Sequence, residues 1–398
     1  MPTSYRSLAF DDPSFEFSLH RVLGYAPFGA AAVGECLQAA AAIEDGSLAS
    51  WSAAWDAAAD AVRTRADAAL AAGHRATARH AYLRAHNYAR AAAVSRVHDD
   101  PAHLRSWRHA VDSFAQAGAL RSPQVQPLEI PYGRTALPGW FFPAADDGRA
   151  RPTLVAMGGG DASGEESWFH CGADDAARRG YNVVTFHGPG QRGALHRDAA
   201  LVWRPDYEVV LSAVVDAIVE RPDVDPDRVA IYGVSLGGWA VLRAAATDHR
   251  LAAVVANSPV LDFHAVTSAP PPTPPSGGQP APSAEKLAYH LDLLRWTYGN
   301  GVENRQQWLD LIRDFRADHL VADIKCPVLA LSSDGEPPSV HPQVERFVET
   351  CPAPVTAIRF TAADGADAHV QFNNVQLVTD TVYDWLDDTL GTAPARAS

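Results

Sequence analysis

Cysteine is scarce. Four stand in 398 residues, Cys36, Cys171, Cys326 and Cys351, with no C-x-x-C pair and no Cys/His cluster. That scatter indicates neither a disulfide framework nor a structural zinc site, and buried thiols are the expected state. No apolar run approaches the roughly 20 residues of a membrane span, and the opening MPTSYRSLAFDDPSFEF lacks a basic stretch followed by an apolar one. A soluble cytoplasmic protein is expected. Basic residues are outnumbered 47 to 33, a formal net charge of -14, and no Lys/Arg run resembles a nucleic-acid footprint. Neither nucleic acid nor membrane is an expected partner. No P-loop occurs, and Gly158-Gly-Gly-Asp161 lacks dinucleotide-binding spacing. No cofactor and no metal are expected.

What the chain has in quantity is apolar residue, 47%, enough for a large core and more than one domain. Residues 29–117 are alanine-rich, with apolar side chains three and four apart, as at Trp51, Trp55, Ala59 and Val62. Helices are predicted over 31–44, 48–72, 74–97 and 101–116, without the fixed period of a repeat scaffold. Past Arg121 the pattern turns extended, 124–131 and 137–142 forming a predicted hairpin. A boundary at 122 separates an N-terminal helical cap domain, 1–122, from a catalytic domain, 123–398. In the latter, strands predicted at 153–157, 182–186, 229–232, 252–256, 326–332 and 355–360 alternate with helices, the signature of a mostly parallel sheet flanked by helices. An insertion over 262–318 interrupts it. Its Pro-rich part, 269–282, reads as mobile, and 283–315 reads as a helical lid over the carboxyl edge of the sheet.

The run Arg228 to Trp239 drives a β-branched strand into Gly233-Val-Ser235-Leu-Gly237, a nucleophile elbow. Chance alone produces G-x-S-x-G in about one chain in ten of this length. The strand before and the small-residue helix after it make it specific, and Ser235 becomes the candidate nucleophile. A serine hydroxyl needs an imidazole to take its proton and a carboxylate to hold that imidazole, in the chain order Ser, acid, His for an α/β-hydrolase fold. Among the downstream histidines only His369 lies between the last strand and the last helix, so it is the candidate base. The turn after the preceding strand offers Asp334 and Glu336. Asp334 is preferred because it stands at the strand end, whereas Glu336 precedes two prolines. Oxyanion donors are expected from the Leu236 N–H and from Gly159 or Gly160.

Several segments together resemble one family, the α/β hydrolases with an N-terminal helical cap, which include 2,6-dihydroxypseudooxynicotine hydrolase and the fungal polyketide-shortening hydrolases of melanin pathways. They are Trp51-Ser-Ala-Ala-Trp55 with 72–88, Gly158 to Glu166, and His187-Gly-Pro-Gly-Gln191. The resemblance implies Ser235, Asp334 and His369 as the triad, with a substrate cleft between cap and catalytic domain. It implies hydrolysis of a carbon-carbon bond next to a carbonyl in a polyketide or aromatic ketone. A carboxylesterase, a thioesterase, an acyltransferase or a lyase stands as the alternative on the same scaffold. His187 departs from the family's usual Asp and is a candidate substrate contact. Asp262 falls where the nicotine-degrading relatives place an auxiliary acid; from the residues it reads equally as a helix cap. Tyr88 is a candidate cleft residue. The expected partner is a small aromatic or polyketide-like acyl substrate, and a homodimer is admitted.

Overall fold

The structure, a computed structural model, describes residues 7–269 and 283–391. The Pro-rich stretch predicted to be mobile lies, from 270 on, outside the described residues. The chain forms two compact units, one holding the sequence up to Val125 together with the segment ending at Trp296, the other holding Gln126 onward and Thr297 onward.

Alanine builds the first unit, since small side chains let helices approach and aromatics fill what remains. Its long helices are Leu48–Ala71, Arg75–Ala93 and Pro101–Ala119, preceded by Pro13–Leu23 and Val33–Ala40. Ser47 starts the first of these, its hydroxyl accepting the Ser50 N–H at 3.3 Å. Trp51 and Trp55, one turn apart, are fully buried, with ring centroids 5.8 Å from each other. From Ala85 to Ala93 every residue of Arg75–Ala93 is buried, so its polar groups must find partners inside. Asn87 donates to the carbonyls of Val22 and Ala30 and accepts from Arg90.

The helix predicted over 283–315 is two helices, Ala284–Tyr298 and Arg305–Leu311, parted at Gly299, whose φ of +110° no side-chain-bearing residue adopts readily. The first groups with the N-terminal helices. Asp292 accepts the backbone N–H of His98 and lies 2.8 Å from its Nδ1, Lys286 pairs with Asp12, and the Tyr289 hydroxyl donates to the Val94 carbonyl. Trp296 stacks on His98, centroids 5.4 Å apart, and meets His103 edge-on.

The second unit is an eight-stranded sheet of β1 (Gln126–Tyr132), β2 (Thr135–Phe142), β3 (Arg151–Met157), β4 (Asn182–Phe186), β5 (Val224–Val234), β6 (Leu251–Asn257), β7 (Val328–Ser333) and β8 (Val355–Phe360). The order is β1-β2-β4-β3-β5-β6-β7-β8. β1 and β2 form the predicted hairpin and attach antiparallel to β4; all other pairings are parallel. This is the α/β-hydrolase architecture. Parallel strands covered on both faces must be apolar throughout, and every residue of β4 and β7 is buried. Met157 pairs with Gly233, Val234 with Asn257, and Asn257 with Leu331, so the loops after β3, β5, β6 and β7 leave one edge of the sheet. That edge carries the site.

Candidate active site

Ser235 joins β5 to the helix Leu236–Thr247 with φ 57° and ψ −120°, a conformation that costs about 1–3 kcal/mol for a residue with a Cβ. Neighbouring backbone holds it there. The Ser235 N–H donates to the Asn257 carbonyl at 2.6 Å. At Gly233 a Cβ would stand 2.1 Å from the Gly237 carbonyl oxygen, so the turn closes only over glycine.

The Oγ of Ser235, on a partly exposed residue, lies 3.1 Å from Nε2 of His369. His369 follows β8 in a short turn, His369–Gln371, in which Val370 and Gln371 both have positive φ. Nδ1 of His369 is 2.5 Å from Oε2 of Glu336, and Oε1 of Glu336 accepts the Val370 N–H at 3.0 Å. One carboxylate thus holds both the imidazole and the loop that carries it. Burial pushes the Glu336 carboxyl up, but the charge and hydrogen bond of His369 and the Val370 N–H outweigh it, leaving the group below the usual glutamate range. A carboxyl lowered in the fold adds stability that is complete above its unfolded value and lost as pH falls through its folded one. The stability gap between the parent and Glu336→Gln therefore narrows below about pH 4, as thermal unfolding at stepped pH would record.

The loop after β3 closes on the same serine. A Cβ on Gly159 would sit 2.8 Å from Cβ and 3.2 Å from Oγ of Ser235, and one on Gly160 would lie 3.8 Å from Leu236 Cδ2. Leu236 begins its helix, where N–H groups have no partner within the helix. Chemically, this is a hydroxyl, an imidazole and a buried carboxylate in series, beside backbone where a developing oxyanion could be received.

Known proteins share this arrangement of chain. A model described as the prolyl oligopeptidase family matches residues 169–290. Hydrolase LUC6 of Fusarium sp is 32% identical over 414 residues, covering 96% of this chain and 98% of that protein. The chain belongs to the α/β-hydrolase family. Another relative, 20-hydroxy-prefusarin hydrolase FUS2 of Gibberella moniliformis, is 38% identical over 268 residues, 65% of this chain and 63% of that protein. The crystal structure of 2,6-dihydroxy-pseudo-oxynicotine hydrolase shares the fold, with a TM-score of 0.73 at 21% identity over 92% of this chain and 95% of that one.

Within this α/β hydrolase, three of the residues singled out from sequence, Asp334, His187 and Tyr88, stand elsewhere than expected, and Asp262 takes the second of its two readings. Asp334 is exposed and pairs with Arg359 of β8 at 2.8 Å; it does not contact His369. The reason is the bend that follows it. Gly335 donates to the Asp367 carbonyl at 2.7 Å, where a Cβ would come within 2.3 Å of that oxygen. This docking turns the next residue, Glu336, inward. Asp262 caps the helix Phe263–Ser268, accepting the Ala265 N–H at 2.8 Å, and pairs with Arg316 at 3.5 Å. It is a structural cap. Asp262→Ala should cost about 1 kcal/mol in urea unfolding and leave kcat unchanged.

His187 is buried, its Nε2 facing Glu165 at 3.1 Å and its Nδ1 accepting the Gly193 N–H at 3.2 Å. Its ring braces the loop after β4. Tyr88 has no exposed surface; its hydroxyl accepts from Ala32 and donates to Glu35 at 2.9 Å, and burial pushes the phenol well up. It packs the core of the helical unit.

Two features of the hydrolase escaped sequence reasoning. Gln191, in the Gly-Pro-Gly-Gln turn, reaches the loop after β3, and only the turn itself signals it. Asn257, at the end of β6, accepts from Ser235 through its carbonyl and donates from its side chain to Gln371 at 2.8 Å, tying the serine turn to the histidine loop. Nothing in its sequence context marks it. Among the described residues no helix is long and apolar enough to cross a membrane, and no group of three His, Cys, Asp or Glu could hold a metal ion.

Proposed function

We propose that this hydrolase works by acyl-enzyme chemistry, with Ser235 as nucleophile, His369 as general base and acid, and Glu336 as the carboxylate that fixes and stabilises the imidazole. The observation that carries this reading is the unbroken series Ser235 Oγ, His369 Nε2, His369 Nδ1, Glu336 Oε2, at 3.1 and 2.5 Å. The serine oxygen bonds to the substrate carbonyl carbon while its proton passes to Nε2. The oxyanion is received by the N–H groups of Leu236 and of Gly159 or Gly160. Collapse breaks the bond to the leaving group, which takes the proton from His369. Water then adds to the acyl carbon, giving its proton to the same nitrogen, and Ser235 leaves with that proton as the acid is released.

The favoured substrate is a small aromatic or polyketide-like ketone cleaved at the carbon-carbon bond beside a carbonyl. An enolate stabilised by a second carbonyl or an aryl group leaves without metal help, and so requires nothing beyond these residues. The family resemblance supports this reading, and a relative named for hydrolysis of 20-hydroxy-prefusarin accords with it. Product analysis on a panel of β-diketones, aryl ketones and aryl esters tests it. Acid and ketone products from a β-diketone are expected, and turnover of esters with none of any ketone would refute carbon-carbon cleavage in favour of an esterase.

A further inference from the structure

We propose that Gln191 is a positioning residue that sets the direction of the oxyanion-binding N–H groups. The inference rests on the acyl-enzyme reading above, but on different atoms. Gln191 is 1% exposed, and its side-chain amide has only one workable orientation. Its Oε1 accepts the Gly188 N–H at 2.9 Å, which turns Nε2 toward the loop after β3. There Nε2 donates to the Gly158 carbonyl at 3.1 Å and to the Gly159 carbonyl at 3.3 Å. Reversing the amide would set its oxygen against both carbonyl oxygens, so the Gly188 contact locks the donor in place.

Holding those carbonyls fixes two peptide planes. In a trans peptide the C=O and the following N–H point in opposite directions across one rigid unit. The Gly158 carbonyl belongs to the unit that bears the Gly159 N–H, and the Gly159 carbonyl to the unit that bears the Gly160 N–H. Gln191 thereby turns both N–H groups away from itself, at the stretch of loop that lies against Ser235. Glycine peptides rotate with little steric resistance, so a loop reading Gly158-Gly-Gly160 needs such an external constraint to present its donors in advance of reaction. The Ala162 N–H also bonds to the Gly159 carbonyl, at 3.4 Å, and leaves the Gly158 carbonyl to Gln191.

The test is the rate at which an alkyl fluorophosphonate labels Ser235. The serine oxygen bonds to phosphorus, fluoride leaves, the serine proton passes to His369, and the phosphoryl oxygen occupies the oxyanion position. Gln191→Glu keeps the shape but sets a carboxylate against two carbonyl oxygens. Labelling should slow about a hundredfold, the value of one oxyanion donor. As pH falls, the variant's carboxyl gains one proton it can donate to one of these carbonyls, so the variant-to-parent rate ratio should rise part of the way; a merely structural role would leave it flat. Gln191→Met, of similar length and unable to donate, should be slow at every pH. Rates are referred to folded protein measured by circular dichroism. Parent-like labelling of both variants, a flat ratio, or failure of both to fold would overturn the positioning role. Labelling that persists in Ser235→Ala would instead overturn the nucleophile assignment, whatever Gln191 does.

Discussion

Ser235→Ala leaves a folded protein whose kcat is lower by roughly ten-thousandfold to a millionfold. The size follows from the geometry, because the series through His369 to Glu336 ends on this single oxygen. With the oxygen gone, the imidazole has only water to activate, and the residual rate is what binding and oxyanion donors supply. Stability should separate the roles of atom and backbone. Alanine keeps a Cβ at φ 57°, so the strain of the turn persists; Ser235→Gly removes it and should unfold about 1 kcal/mol later than Ser235→Ala while being equally inactive. Intact mass after the fluorophosphonate should show one adduct on the parent and none on either variant. A variant that keeps a tenth of the parental rate would refute Ser235 as the nucleophile.

Glu336→Ala lowers kcat by about ten-thousandfold, and Asp334→Ala changes it less than twofold. The two carboxylates stand two residues apart, so the comparison isolates placement from chemistry. Glu336 is buried with one oxygen on the imidazole and the other on the Val370 N–H, whereas Asp334 is exposed and answers Arg359. Removing Glu336 costs twice over. In the proposed mechanism the imidazole loses the group that fixes its tautomer and steadies its positive charge, and the positive-φ turn at Val370 and Gln371 loses an acceptor. Glu336→Gln separates these losses, since its carbonyl still accepts from Val370 while no charge faces His369. It should keep the parent's fold at neutral pH, less stable by the charge-dependent gap described above, and remain severely slowed. Asp334→Ala, by contrast, removes one exposed ion pair, worth at most about 1 kcal/mol. If it alone abolished turnover, the acid assignment would have to be reversed.

These two residues also mark how far the chain could be read directly. The sheet was legible because its parallel strands are buried on both faces and hence spelled as apolar runs; the strands at 182–186 and 355–360 have the predicted limits. Ser235 and His369 were legible because each sits at a fixed place in the order of strands and helices. The acid was not. Which of two neighbouring carboxylates turns inward depends on a bend at Gly335 that is set by the carbonyl of Asp367, a residue thirty-two positions on. No pattern of residue types encodes that contact. Tyr88 misled for a related reason. On a stretch of helix buried on all sides, from Ala85 to Ala93, tyrosine, histidine and asparagine stand among alanines as they would on a cleft wall, and only the partners distinguish the two. The turn holding Gln191 was visible, but its partners were not, because the side chain crosses from one loop to another.

The helix Ala284–Tyr298 carries a consequence for the order in which the chain acquires its structure. Its ties to Asp12, Val94, His98 and His103 complete a helical unit whose other members all precede Val125. On a ribosome that unit cannot finish before residue 296 has emerged, by which time β1 through β6 have emerged and β7, β8 and His369 have not. The N-terminal helices therefore wait, with the faces of His98 and His103 that receive Trp296 uncovered, while most of the sheet is synthesised behind them. Domains that fold as units during synthesis ordinarily do so from the N-terminus onward. Here helices made before the sheet close only after most of it has emerged, and a fragment ending at Val125 would keep that open seam permanently.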